Sequence, residues 1–136
     1  MPEIKRLSLS NLKRIVGVTE KHNKVVRWHT DNITIKRLLT VEEYLQTVRA
    51  IIRDCKAPDG GVAIELLDFA IRLNVIISYA YIELPKQLEE IYYIIYASDL
   101  YETICAHANT AQIESIIESV MLYVERAEPT GEYVGG

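Results

Sequence analysis

The chain has 136 residues, 49% of them apolar and 25% charged, with a formal net charge of −4. That length suits one domain, and the composition is that of an ordinary globular chain rather than a disordered or fibrous one. The opening MPEIKRLSLS lacks the apolar run of a secretory signal, and no segment reads as a transmembrane span.

The charge is divided along the chain. Residues 1–39 hold nine cations against three anions, a net of +6, and the remainder holds six cations against sixteen anions, a net of −10. Such a division points either to a basic face that meets a partner or to two halves of a fold that neutralise each other.

Residues 8–17, SLSNLKRIVG, read as a short helix with Ser10 as N-cap and Gly17 as its stop. A strand is the alternative, because Ile15, Val16 and Val18 are β-branched. Lys24 to His29 and Ile33 to Leu39 read as a β-hairpin around a Thr30-Asp31-Asn32 turn. Val26 and Trp28 share one face of it, and Ile33 and Ile35 lie together on the other strand. Neither strand contains a proline, so the hairpin edges stay open to pairing, and self-association through the basic module is expected.

Thr40 and Glu43 make a capping box for a helix whose stripe is Val41, Tyr44, Leu45, Val48, Ile51, Ile52 and Cys55. It stops in Lys56-Ala57-Pro58-Asp59-Gly60-Gly61. The stretch from Gly61 to Leu84 is apolar nearly all round and predicts the buried central helix. Its stripe reads Val62, Leu66, Phe69, Leu73, Ile76, Ile77 and Ala80. Pro85 suits the first turn of the next helix, striped by Leu88, Ile91, Tyr92, Ile95 and Tyr96. Ser98 is the expected N-cap of a short helix through Cys105, and Thr110 that of a last helix striped by Ile113, Ile116, Ile117, Val120 and Val124. The expected fold is therefore mostly α: one domain over 1–126, with a basic β-containing module at 1–39, a bundle of about five helices at 40–126, and a loose tail at 127–136.

No pattern carries catalysis. Cys55 and Cys105 form no close-spaced metal or redox motif, so two reduced thiols are the simplest reading, with a disulfide the alternative. His22, His29 and His107 share no metal-ligand spacing, and no phosphate-loop, dinucleotide or serine-nucleophile motif is present. Asp68 and Arg72, four apart, read as an ion pair within a helix. No cofactor, metal or catalytic residue is expected. Two features do point to binding. Nine tyrosines accompany one phenylalanine, and Tyr79, Tyr81, Tyr92, Tyr93, Tyr96 and Tyr101 cluster on the chain. A tyrosine joins a large ring to a polar tip and suits interfaces and pocket rims. The basic module interleaves Lys24, Arg27, Lys36 and Arg37 with Trp28. Nucleic acid is the weaker partner for it, since the chain is acidic and carries no nucleic-acid motif.

The runs ITIKRLLTVEEYLQTVRAIIRDC, DFAIRLNVIISYAYIELP and YYIIYASDLYETICAHANTAQIESIIESV resemble small proteins of tailed phages and prophages of gut Firmicutes. The likeness covers roughly residues 24–126 and rests on a hairpin, a strand-to-helix join at Leu38-Leu39-Thr40, a central helix ending at Leu84-Pro85 and an acidic helical end. The hairpin followed by helices is also similar to the tail assembly chaperones of long-tailed phages. The resemblance implies a non-enzymatic protein of the host cytoplasm or the virion. It would bind phage structural proteins such as the tape-measure protein or tail-tube subunit, as a homo-oligomer and without a membrane. The alternative it leaves open is a counter-defence protein that binds a host immune protein or sequesters a nucleotide signal.

Overall fold

A computed structural model describes residues 5–20 and 23–127, with the backbone alone over 16–20. Among them are six helices and one antiparallel hairpin. Helix α1 (Leu9–Glu20) comes first, then strands β1 (Lys24–Trp28) and β2 (Asp31–Ile35). Five helices follow: α2 (Val41–Asp54), α3 (Ile64–Tyr79), α4 (Leu88–Tyr96), α5 (Leu100–His107) and α6 (Thr110–Ala127). The mostly helical architecture with a hairpin before a five-helix bundle is the one expected. His22 and the tail beyond Ala127 lie outside the described residues.

The first helix is capped two residues earlier than expected. Ser8 accepts the Asn11 amide at its hydroxyl (3.1 Å) and the Leu12 amide at its carbonyl (2.9 Å). The helix also passes through Gly17 to Glu20. In the hairpin, Trp28 pairs with Asp31, so the turn is His29-Thr30 and Asp31 and Asn32 belong to the strand. His29 takes the left-handed φ of 57° that so tight a reversal requires. Val26, Ile33 and Ile35 face the core, as the alternation predicts, with Trp28 half-buried beside them.

β2 ends at Ile35, short of Leu39. Beyond it the backbone joins the chain that leaves α3: the Lys36 amide donates to the Tyr79 carbonyl (2.7 Å) and the Tyr81 amide to the Thr34 carbonyl (3.0 Å). Ile35 and Ala80 thus form an antiparallel bridge. This contact ends the central helix at Tyr79 instead of Leu84, and it occupies part of the β2 edge that the sequence leaves open. Pro85 consequently lies in the extended connection, and α4 starts at Leu88.

The capping box of α2 forms as expected. Thr40 accepts the Glu43 amide (3.2 Å), and Glu43 accepts the Thr40 amide (2.9 Å). Between α2 and α3 the Asp59-Gly60-Gly61 turn has Gly60 at a φ of 93°, which a side chain would strain. The helix α3 packs on α2, α4 and α5. Its inward residues are Leu67, Ala70, Ile71, Asn74, Val75, Ile76 and Tyr79, a face that shares only Ile76 with the expected stripe, whose Ala80 is buried just past the helix end. Leu66 and Ile77 are exposed, and Phe69 and Leu73 are half-buried. An all-round apolar helix has no periodic signal to orient it, and its neighbours decide. Even a polar residue goes inward here, because Asn74 donates to Asp54 Oδ2 (3.0 Å) and to the Ala70 carbonyl (2.8 Å). Two later caps shift by one residue. The Ser98 hydroxyl donates to the Ile94 carbonyl and accepts the Leu100 amide (3.3 Å), while Asp99 occupies the N-cap position of α5. Asn109, not Thr110, accepts the Gln112 amide (2.8 Å) at the start of α6.

One side chain ties hairpin, central helix and last helix together. The Gln112 carbonyl oxygen accepts the Leu39 amide (2.8 Å) and the Tyr79 hydroxyl (2.6 Å), and its Nε2 donates to the Leu39 carbonyl (3.1 Å). Leu39 and Tyr79 are both buried. Each buried polar group left without a partner costs ~1–3 kcal/mol. Gln112→Ala is therefore expected to lower the unfolding free energy by about 3 kcal/mol in a urea titration, and an unchanged midpoint would contradict this role.

A second expectation concerns acid. Lys36 Nζ lies 2.7 Å from Glu43 Oε2, and with the Thr40 amide it holds the Glu43 carboxyl below its ordinary range. A depressed carboxylate stabilises the fold fully above its unfolded-state value and loses that contribution as pH falls through the folded one. Between neutral pH and acid, Glu43→Gln should lose less stability than the parent chain. Parallel urea midpoints at the two pH values measure this, and equal losses would refute it.

Candidate functional site

The basic residues of the hairpin do not form a continuous phosphate track. Lys24 is half-buried at the start of β1, and Arg27 is exposed on its outer side. Trp28 is pinned: its Nε1 donates to Asp99 Oδ1 (2.8 Å), and its ring meets His29 edge-on at 4.7 Å. Lys36 is paired with Glu43 and lies 5.5 Å from the Tyr81 ring centre. Arg37 is exposed, and its carbonyl accepts the Asn109 amide (2.8 Å).

The tyrosines separate more clearly. Tyr79 is fully buried and serves the core. Burial pushes its hydroxyl well above the ordinary range, and it donates a hydrogen bond to the Gln112 carbonyl oxygen. Tyr81 is exposed beneath Lys36. Tyr92, Tyr93, Tyr96 and Tyr101 come together with Phe69 into one face built by α3, α4 and α5.

That face starts from the composition of α4. Seven of the nine residues in LEEIYYIIY are apolar or aromatic, more than one inward stripe accommodates. Ile95 takes the buried position, and Ile91 and Ile94 are half-buried. Leu88, Tyr92 and Tyr96 then fall at intervals of four along the outside, with Tyr93 adjacent. Leu88, Tyr92 and Tyr93 are each more than half exposed. Phe69 lies against Tyr92 and Tyr96 with ring centres at 6.3 and 6.4 Å, and Tyr92 and Tyr96 are 4.8 Å apart. Leu66, one turn before Phe69, extends the apolar surface along α3.

Ion pairs hold these rings in place. Arg72 donates from Nε to Asp68 Oδ2 (2.9 Å) and from a terminal nitrogen to Glu102 Oε2 (3.3 Å). The Asp68–Arg72 pair is the one its spacing predicts. The same guanidinium lies 5.3 Å from the Tyr96 ring centre and 4.7 Å from that of Tyr101. Such cation–π contacts are worth ~0.5–1 kcal/mol each at exposed sites. The Tyr96 hydroxyl donates to Asp68 Oδ2 (2.6 Å). Burial and that carboxylate push it up to about 12, so it stays a donor. Burial raises Tyr101, Cys55 and Cys105 as well, and both thiols are free. A raised thiol is a poor nucleophile at neutral pH.

A groove of about 740 Å³ runs between α2 and α3 past Glu43, Thr47, Arg49, Arg53, Asn74 and Ser78. Its floor is engaged with itself: the Thr47 hydroxyl donates to the Glu43 carbonyl (2.7 Å) and lies 2.6 Å from the Ser78 hydroxyl. Among the described residues, no three His, Cys, Asp or Glu side chains stand together to hold a metal ion, and no helix is long and apolar enough to cross a membrane.

Comparison with known protein families, curated proteins and solved structures finds no match to this chain. The site therefore rests on its own geometry. Phe69, Leu66, Leu88, Tyr92 and Tyr96 are the members that the sequence pattern places in helix stripes, and of these Leu66, Leu88, Tyr92 and Tyr96 are exposed. The excess of apolar residues over buried positions in α4 is the signal that points to an outward aromatic face.

Proposed function

We propose that this protein is a non-enzymatic phage assembly factor of the tail assembly chaperone kind. It holds an apolar segment of a tail-tube or tape-measure subunit against the aromatic face of α3 and α4. The observation that carries the reading is that this face is exposed and already ordered. Phe69 stacks on Tyr92 and Tyr96, and Arg72 and Asp68 hold Tyr96 from one side, with Glu102 holding Arg72. Rigid tyrosines give large contact area at low conformational-entropy cost, and they are frequent among the residues that dominate binding energy. A face fixed before contact loses less entropy when a partner arrives.

The acidic surroundings suit a chaperone as well. Glu65, Glu89 and Glu90 lie in the first turns of α3 and α4, and all three are exposed. They keep an aromatic surface soluble while it awaits a client, and like charge deters two such faces from meeting directly.

The test is a binding titration with the purified tail-tube and tape-measure proteins of the same phage. Tyr92→Ala combined with Tyr93→Ala removes two exposed rings and should leave the thermal melt near that of the parent. Binding of the client should weaken at least about tenfold, the equivalent of ~1.4 kcal/mol. Failure of both clients to bind, or binding indifferent to the substitution, would overturn the reading.

A further inference from the structure

The start of the first helix leaves apolar side chains in solvent. Leu9 and Leu12, three apart on α1, are 65% and 46% exposed, and Leu7 just before the Ser8 cap is 58% exposed. Lys5, Arg6, Lys13 and Arg14 are exposed around them. The helix is thus amphipathic and basic. Covering exposed leucines removes apolar surface from water, so something that covers them stabilises the state in which they are covered.

The surface complementary to it is on the same chain. The face of Phe69, Tyr92 and Tyr96 is apolar at its centre and acidic at its margin. Asp68 touches Tyr96 and Arg72, Glu102 reaches Arg72, Glu89 lies three residues before Tyr92, and Glu65 four before Phe69. All four carboxylates are exposed. The one arginine among them is committed to Asp68 and Glu102, so the margin keeps an excess of negative charge. Basic side chains against this margin gain Coulomb attraction, and their cations meet ring faces that attract them.

We propose that α1 of one copy docks on the aromatic face of a second copy, Leu9 and Leu12 on the Tyr92 and Tyr96 rings and Lys13 and Arg14 against the acidic margin. The inference rests on reading the α3–α4 face as a docking surface. Helix and face are different surfaces, so each copy offers one of each and the contact is heterologous. Such contacts join copies head to tail and close into a ring when the rotation allows. In this state the first helix occupies the client face until a client displaces it. Because much of the attraction is between exposed charges, the assembly weakens as salt shortens the Debye length.

The experiment places a benzophenone amino acid at Leu12 of the full-length chain. That chain is mixed with isotopically labelled parent and irradiated, and the cross-linked peptides are sequenced. Expected are cross-links between labelled and unlabelled copies that land on residues 88–96, with yield reduced at least tenfold by Lys13→Glu/Arg14→Glu. Those two residues are exposed, so circular dichroism should show the fold retained. Cross-links confined to one copy, cross-links that land on α2 or α6, or no cross-link at any concentration up to the solubility limit would each overturn the proposal. Binding of tail proteins, read separately with the Tyr92 and Tyr93 variant, distinguishes loss of self-docking from loss of the docking surface itself.

Discussion

Gln112 makes the contact on which the arrangement of the other elements depends. A glutamine amide that accepts the Leu39 amide and returns a bond to the Leu39 carbonyl treats that residue as a neighbouring strand would. The residue so held is the join between hairpin and bundle. Thr40, next in the chain, caps α2, so the direction of α2 follows from where Leu39 is fixed. The Tyr79 hydroxyl reaches the same oxygen from the end of α3, where the backbone turns to bridge β2. One side-chain amide at the start of α6 therefore ties together the join before α2 and the end of α3. Leu39 and Tyr79 are buried, which raises the value of the bonds that satisfy their polar groups.

Around this point the helices are joined by pairs of hydroxyls as much as by apolar contact. Tyr44 lies 2.7 Å from Ser115 and 3.1 Å from Ser119, linking α2 to α6, and Thr47 meets Ser78 across α2 and α3. These bonds have direction, so they select one rotation of each helix among those the apolar residues allow. That selection has a functional consequence for α3. With Tyr79, Asn74 and Thr47 engaged inside, Phe69 and Leu66 turn toward α4 and solvent, and the aromatic face forms there. The face is a product of the polar core, which decides which apolar residues are left over.

Part of the local structure was legible in the sequence, while the hairpin turn, three helix N-caps and the non-local contacts were not. The Thr40–Glu43 box, the hairpin alternation and the Asp68–Arg72 pair each depend on residues a few positions apart, and each stands where the spacing puts it. The ends of β2 and α3 were misread together, because both are set by one contact between Lys36 and Tyr79 that no local pattern records. The inward face of α3 was illegible for a different reason: apolar residues on every side leave no moment to orient it. Asp99 on Trp28 and Gln112 on Leu39 join residues 71 and 73 positions apart and had no sequence signal at all. For the candidate site, the tyrosines named from the sequence divide in the structure: Tyr92, Tyr93 and Tyr96 are exposed on α4, while Tyr79 is buried with its hydroxyl on Gln112.

The proposed role requires that the aromatic face of α3 and α4 be covered by protein in the complex. Hydroxyl-radical footprinting of the free chain and of its complex with a tail protein measures that covering ring by ring. Tyr92 and Tyr93 should be reactive in the free, dilute chain and protected in the complex, while Tyr123, exposed on α6, keeps its reactivity. Tyr92 and Tyr93 equally reactive in both states, with protection elsewhere, would contradict the account.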